Sequence, residues 1–212
     1  MPKIHVASNR ELLTREMVDY LRERGIKRLL SDYDRTPAVT GSQEHSELTA
    51  FYALAIAHAM NLPKEERRRV CLAAKFHDIG KVGMPTSTFE GRLDDNNIDL
   101  IRKHPHEGAY HLTHRMSVDP KLHLDRQTLI YVMDHHERYD GKGYPVGLAG
   151  EEIPLGARII AVADAYATMT AGRPYRKRIT HKAAVEEIVR NSGTQFDPTV
   201  VEAFTRTFGM AK

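Results

Sequence analysis

Apolar residues recur at helical spacing in segment after segment of this chain, and that periodicity leaves room for little but a helical architecture. Leu48, Phe51, Tyr52, Ala55, Ile56 and Ala59 make one such stripe. Thr40-Gly41-Ser42-Gln43 ahead of them reads as a capping signal, so a helix is predicted near 42 to 60. Pro63, with Glu65 and Glu66, suits the first turn of a second helix, predicted to run to about Ile79. Further helical patterns cover roughly 94 to 115, 121 to 135, 157 to 170, 181 to 191 and 198 to 208. The β-branched and aromatic alternation of strands is scarce, and the predicted class is all-α.

One segment breaks the pattern. Tyr139-Asp140-Gly141-Lys142-Gly143-Tyr144-Pro145 holds two glycines and a proline and cannot be regular helix. It reads as a long structured loop directly after a histidine pair, and such loops inside compact domains are usually functional. Residues 1–40 mix charge with scattered leucine and end in the turn-prone Ser31-Asp32-Tyr33-Asp34-Arg35-Thr36-Pro37. They are expected to form a helical extension and linker, leaving 41–212 as a single domain with one core.

Composition narrows the chemistry. Cys71 is the only cysteine, which excludes an internal disulfide framework and a thiolate zinc cluster. A formal charge of +3 is too small to imply a nucleic-acid surface, and Arg67-Arg68-Arg69 reads as a solvated helix face. No apolar run approaches the roughly 18 residues that span a bilayer, and Met1 to Arg10 lacks the apolar stretch of a secretory signal, so the expected compartment is the cytoplasm. The unusual number is twelve histidines, many near aspartate, and histidine is the commonest side-chain metal ligand.

His77-Asp78 stands at the end of an apolar helix carrying Val70, Ala73 and Ala74, where Gly80 would stop it. A buried carboxylate needs a partner, either a cationic side chain or a metal. His45, His104, His135, His136 and Asp164 each lie on or near a predicted helix of the same bundle, and bundle cores build metal sites from inward side chains on facing helices. Asp164 interrupts the apolar Ile159-Ile160-Ala161-Val162-Ala163-Asp164-Ala165, where a charge without a metal is hard to explain. His58, among small apolar residues, reads as a packed or boundary histidine. His106, His111, His114 and His123 are expected to face solvent or to support the ligands, and His5 and His181 carry no signal.

From about residue 42 to 205 the chain resembles the HD-GYP domain. The matching motifs are His45-Ser46, His77-Asp78-Ile79-Gly80-Lys81, His104-Pro105-x-x-Gly108, His135-His136-Glu137-Arg138-Tyr139-Asp140-Gly141-x-Gly143-Tyr144-Pro145 and Arg173-Pro174-Tyr175-Arg176, in order and spacing. The resemblance implies a helical bundle of the HD superfamily with a long GYP loop. It also implies that His45, His77, Asp78, His104, His135, His136 and Asp164 bind two divalent metals, with Asp78 bridging them and a water or hydroxide between. Nitrogen and oxygen ligands suit iron, manganese, cobalt or zinc, and the family habit favours iron or manganese. Lys81 matches a lysine near the attacked phosphate, and Tyr144, Arg173 and Arg176 match positions that hold the substrate's phosphates and guanine.

Three positions depart from the pattern. Some members place a glutamate four residues before the first histidine to hold a third metal; here that position is Gly41, and Glu44 points elsewhere on a helix, so two metals are expected. A second aspartate common three residues after the helix aspartate is Ala167, and the loop's usual tryptophan is Tyr139. The implied activity is hydrolysis of cyclic di-GMP to linear pGpG, with GMP as the product where the second phosphodiester is also cut. The alternatives are hydrolysis of another cyclic dinucleotide, or a non-catalytic cyclic di-GMP sensor or adaptor for a signalling partner protein. Neither nucleic acid nor membrane is an expected partner.

Overall fold

The computed structural model describes residues 6–21, 42–85, 88, 95–171 and 178–209 of the chain. The expected linker, Gly41 and the arginines Arg173 and Arg176 lie outside the described residues. Nine helices run in the order α1 Val6–Leu21, α2 Ser42–Ala59, α3 Lys64–Phe76, α4 Asp95–Ile101, α5 His104–Val118, α6 Arg126–Asp134, α7 Leu155–Ala171, α8 His181–Arg190 and α9 Pro198–Phe208 among the described residues. Strand pairing there is confined to the isolated bridges Asp140 to Ala149 and Ser192 to Phe196, so the all-α class stands. No helix among the described residues is long and apolar enough to cross a membrane.

The centre of the bundle is the mutual packing of α2, α3 and α7. Small residues allow it: Ala50, Ala53, Ala57, Ala73, Ala74, Ala157 and Ala163 are fully buried. Leu54, Ile56, Leu72, Phe76, Ile159 and Ile160 fill the space between them, each contributing about 1.5–3 kcal/mol by leaving water. Ala167 is also wholly buried. Helix α6 crosses α7 at Gly156, where a β-carbon would collide with the Tyr131 ring.

Two predicted helices end differently from their periodicity. Helix α3 stops at Phe76; His77 keeps helical angles, Asp78 turns to φ −97° and ψ 5°, and a single 3₁₀ turn, Ile79–Lys81, follows. The 94 to 115 pattern is two helices, because the chain breaks at Arg102-Lys103 and α5 restarts with Pro105 in its first turn, where a missing N–H costs nothing.

The arginine triplet is not a solvated face. Arg67 donates through Nε to Glu16 of α1 at 3.0 Å, Arg69 spans Glu66 at 3.0 Å and Asp125 at 2.5 Å, and Arg68 pairs with Glu65 at 3.7 Å. Glu16 also receives the Tyr20 hydroxyl and the His58 ring, so α1 is clamped to α2 and α3 by one half-buried carboxylate. His58 is thus the boundary histidine its neighbours suggest.

Candidate metal centre

Five segments converge on one point. α2 contributes His45, the end of α3 contributes His77 and Asp78, the start of α5 contributes His104, the turn after α6 contributes His135 and His136, and α7 contributes Asp164. The donor atoms of His45, His77 and Asp78 lie within 4.8 Å of one another, and so do those of His104, His135 and His136. Asp78 stands between the two groups, with one oxygen 3.5 Å from His77 Nε2 and the other 3.3 Å from His104 Nε2. Asp164 closes the first group, 2.9 Å from His45 Nε2 and 3.7 Å from His77 Nε2.

The motif glycines explain how these segments meet. The 3₁₀ turn after Asp78 rides on the first turn of α5, and a β-carbon at Gly80 would collide with the His104 carbonyl oxygen and stand 2.5 Å from the Gly108 nitrogen. Bare backbone at 80 and 108 therefore brings Asp78 up to His104.

The imidazoles are oriented for binding a cation. Nδ1 of His77, His104 and His135 each faces the carbonyl three residues back, at 2.8 Å on Ala74, 2.7 Å on Ile101 and 2.7 Å on Val132. That bond needs the proton on Nδ1, which leaves the Nε2 lone pair aimed inward. The Nε2 atoms of His104 and His135 are then 3.3 Å apart with no proton between them. His77 Nε2 is buried without a hydrogen-bond partner. Two lone pairs turned on each other in a dry interior are stable only around a positive charge, and neutral nitrogens with carboxylate oxygens suit a divalent ion.

The electrostatics agree. Burial pushes His104 down to about 3, with Lys81 adding to it, and His136 down to about 4; burial likewise depresses His77 and His135, so the ring nitrogens are neutral and able to ligate. Burial opposes ionisation of Asp78, but the Lys81 ammonium beside it outweighs that and holds the carboxyl well below its usual range. Asp164 is likewise held low, against burial, by the hydrogen bond with His45. Lys81 Nζ lies 2.6 Å from Asp78 and remains partly exposed, at the edge of the centre.

The glycine-rich loop is rigidly built. The Glu137 carboxylate, buried, accepts the backbone N–H groups of Val146 at 2.7 Å and Gly147 at 3.0 Å. Arg138 forks onto Asp140 at 3.0 and 2.7 Å, and Gly143 lies so close to Arg138 that a β-carbon would strike its nitrogen. This folding stacks Tyr144 on His136, with ring centres 4.8 Å apart and planes 27° from parallel. Beyond His135, His136 and Asp164, a cavity of about 290 Å³ opens towards Thr168, Asn191 and Gln195.

Sequence reasoning passed over Glu137 and Arg102. Glu137 carries a signal, an acid placed between a histidine pair and a loop rich in unpaired N–H groups. Arg102, whose guanidinium carbon lies 5.7 Å from the Tyr144 ring centre, carries none. His106, His114 and His123 are exposed, while His181 receives the Tyr166 hydroxyl at 2.7 Å.

Residues 26–200 match the model of a family described as HD domain. The chain is 38% identical over 168 residues to the cyclic di-GMP phosphodiesterase response regulator RpfG of Xanthomonas campestris, covering 78% of this chain and 43% of that protein. It is 38% identical over 172 residues to the cyclic di-GMP phosphodiesterase PA4108 of Pseudomonas aeruginosa, covering 78% and 39%. The chain thus spans about two fifths of the length of these curated relatives. Among solved structures, Bd1817, an HDG"Y"P protein from Bdellovibrio bacteriovorus, superposes with a TM-score of 0.61 at 18% identity, covering 76% of this chain and 50% of that one, a likeness of fold. With the family model spanning most of the chain and the ligand-bearing turns built as described, this protein belongs to the HD domain family.

Proposed function

We propose that this chain is a metal-dependent phosphodiesterase that hydrolyses cyclic di-GMP to linear pGpG, or to GMP where the second phosphodiester is also cut. The observation that carries it is Asp78, held ionised between two groups of inward-turned imidazoles. The names of its relatives favour cyclic di-GMP as the substrate. His45, His77 and Asp164 would hold one divalent ion, His104, His135 and His136 the other, and Asp78 would reach both. Iron or manganese are the ions proposed, because the family resemblance favours them among the metals that nitrogen and oxygen ligands suit. Bound there, such ions activate water and offset charge on the phosphoryl oxygens.

The chain's own residues do the rest. Lys81, beside Asp78, supplies an ammonium where negative charge grows on the attacked phosphate. Thr168 donates to Asp164 at 3.3 Å and fixes the carboxylate's rotation. Tyr144, stacked on His136, is proposed to contact the substrate's guanine, and Arg173 and Arg176 to grip phosphate oxygens. Hydrolysis adds the water oxygen to phosphorus and breaks the P–O3′ bond, and the 3′ oxygen leaves with a proton.

Anaerobic turnover of cyclic di-GMP by protein reloaded with iron or manganese, beside the Asp78→Ala variant and with products separated by chromatography, tests this. pGpG or GMP formed only by the intact site supports it. Two bound metals without product would point to another cyclic dinucleotide, and no metal uptake would favour a sensor or adaptor.

A further inference from the structure

We infer that Arg102 is a substrate-binding residue that holds the phosphate of the cyclic dinucleotide that is not being cleaved. The inference deepens the proposed function and rests on it. A cyclic dinucleotide carries two phosphates on opposite sides of its ring. When one sits at the His45-to-Asp164 centre with Lys81, the other needs a separate cation.

Arg102 is placed for that role by the turn that builds the centre. Its neighbour Ile101 gives its carbonyl to His104 Nδ1, so the backbone at 101 to 104 is fixed by a ligand's own hydrogen bond. The Arg102 guanidinium lies 5.7 Å from the centre of the Tyr144 ring, and the Tyr144 ring centre lies 4.8 Å from that of His136. Guanidinium, phenol and imidazole therefore form a short row from solvent to the centre.

Among the described residues, the charge on Arg102 is not neutralised by a close carboxylate. Its ion pair with Asp99 is 3.9 Å long, between side chains 58% and 76% exposed, a geometry that contributes little. Contact with Tyr144 restricts the guanidinium without neutralising it, so its planar fork stays open to an oxyanion. Arg67, Arg69, Arg138 and Arg158, by contrast, are each locked onto a carboxylate at 3.0 Å or less.

The test compares two substrates on metal-loaded wild type and Arg102→Ala: cyclic di-GMP, and bis(p-nitrophenyl) phosphate, which has a single phosphate. Loss of a charge-assisted phosphate contact predicts that kcat/KM for cyclic di-GMP falls roughly 10- to 100-fold more than that for the small diester, mainly through KM. The loss shrinks as salt rises, and Arg102→Lys, which keeps the charge but not the fork, recovers part of it. Metal content and melting temperature of the variants, measured alongside, stay at wild-type values. An equal fall for both substrates, or none, overturns the role of Arg102 while leaving the phosphodiesterase reading intact. A selective loss that is independent of salt assigns Arg102 to a base and overturns the phosphate role. A wild type that cleaves the small diester but no cyclic dinucleotide overturns the substrate reading and this inference with it.

Discussion

Gly80 and His104 touch backbone to backbone, so closely that any β-carbon at position 80 would overlap the His104 carbonyl oxygen. The obstacle is main chain on a helix, which cannot rotate away. Gly80→Ala should therefore push the 3₁₀ turn off α5, costing about 1–3 kcal/mol of stability and separating Asp78 from His104. Urea unfolding and metal titration together check this, and an alanine variant with wild-type metal affinity would contradict it.

The facing Nε2 atoms of His104 and His135 predict that the fold is strengthened by divalent ions. At a free ion concentration about 100 times Kd, linkage gives roughly 2.7 kcal/mol, and a chelator should remove it. His135→Ala should abolish most of that gain. Calorimetry with and without chelator reads the difference; equal melting temperatures for loaded and stripped wild type would count against the centre.

Glu137 predicts a loop effect separable from ligation. Glu137→Ala leaves the N–H groups of Val146 and Gly147 without their acceptor, a loss of about 1–3 kcal/mol in the loop's closure. Amide exchange at 146 and 147 should accelerate, and kcat/KM should fall. Unchanged protection at these amides would show that the carboxylate does not organise the loop.

Asp197 predicts an acid limb to stability. Burial works against its ionisation, but hydrogen bonds from Thr199 and the Arg158 guanidinium outweigh it and hold the carboxyl below its usual range. Its contribution is therefore fully present above the unfolded pKa of about 3.9 and is lost as pH falls through the lower folded value. Asp197→Ala, which also removes the cap of α9, should cost about 3 kcal/mol or more at neutral pH, and the gap to wild type should narrow below about pH 4. A gap that is flat with pH would mean that the pair adds nothing beyond the cap.

Much of this was legible in the residues, because helical periodicity and a charge inside an apolar helix are local signals. Ile159 to Ala165 shows both at once: the stripe announces a helix, and Asp164 announces that something must face it. Partners distant in sequence were not legible. Arg67 looks solvated beside Arg68 and Arg69 until Glu16 arrives on it from α1. The break at Arg102-Lys103 was hidden by a periodicity that continues across it, although Pro105 marks a helix start.

The packing of α2 against α7 sets His45 2.9 Å from Asp164, a carboxylate that leaves the ribosome long after it. At roughly 5–20 residues per second, on the order of ten seconds of translation separate the two. The Asp164 carboxylate is thus the last of the clustered donors to be made, and the His45 group is incomplete until α7 docks.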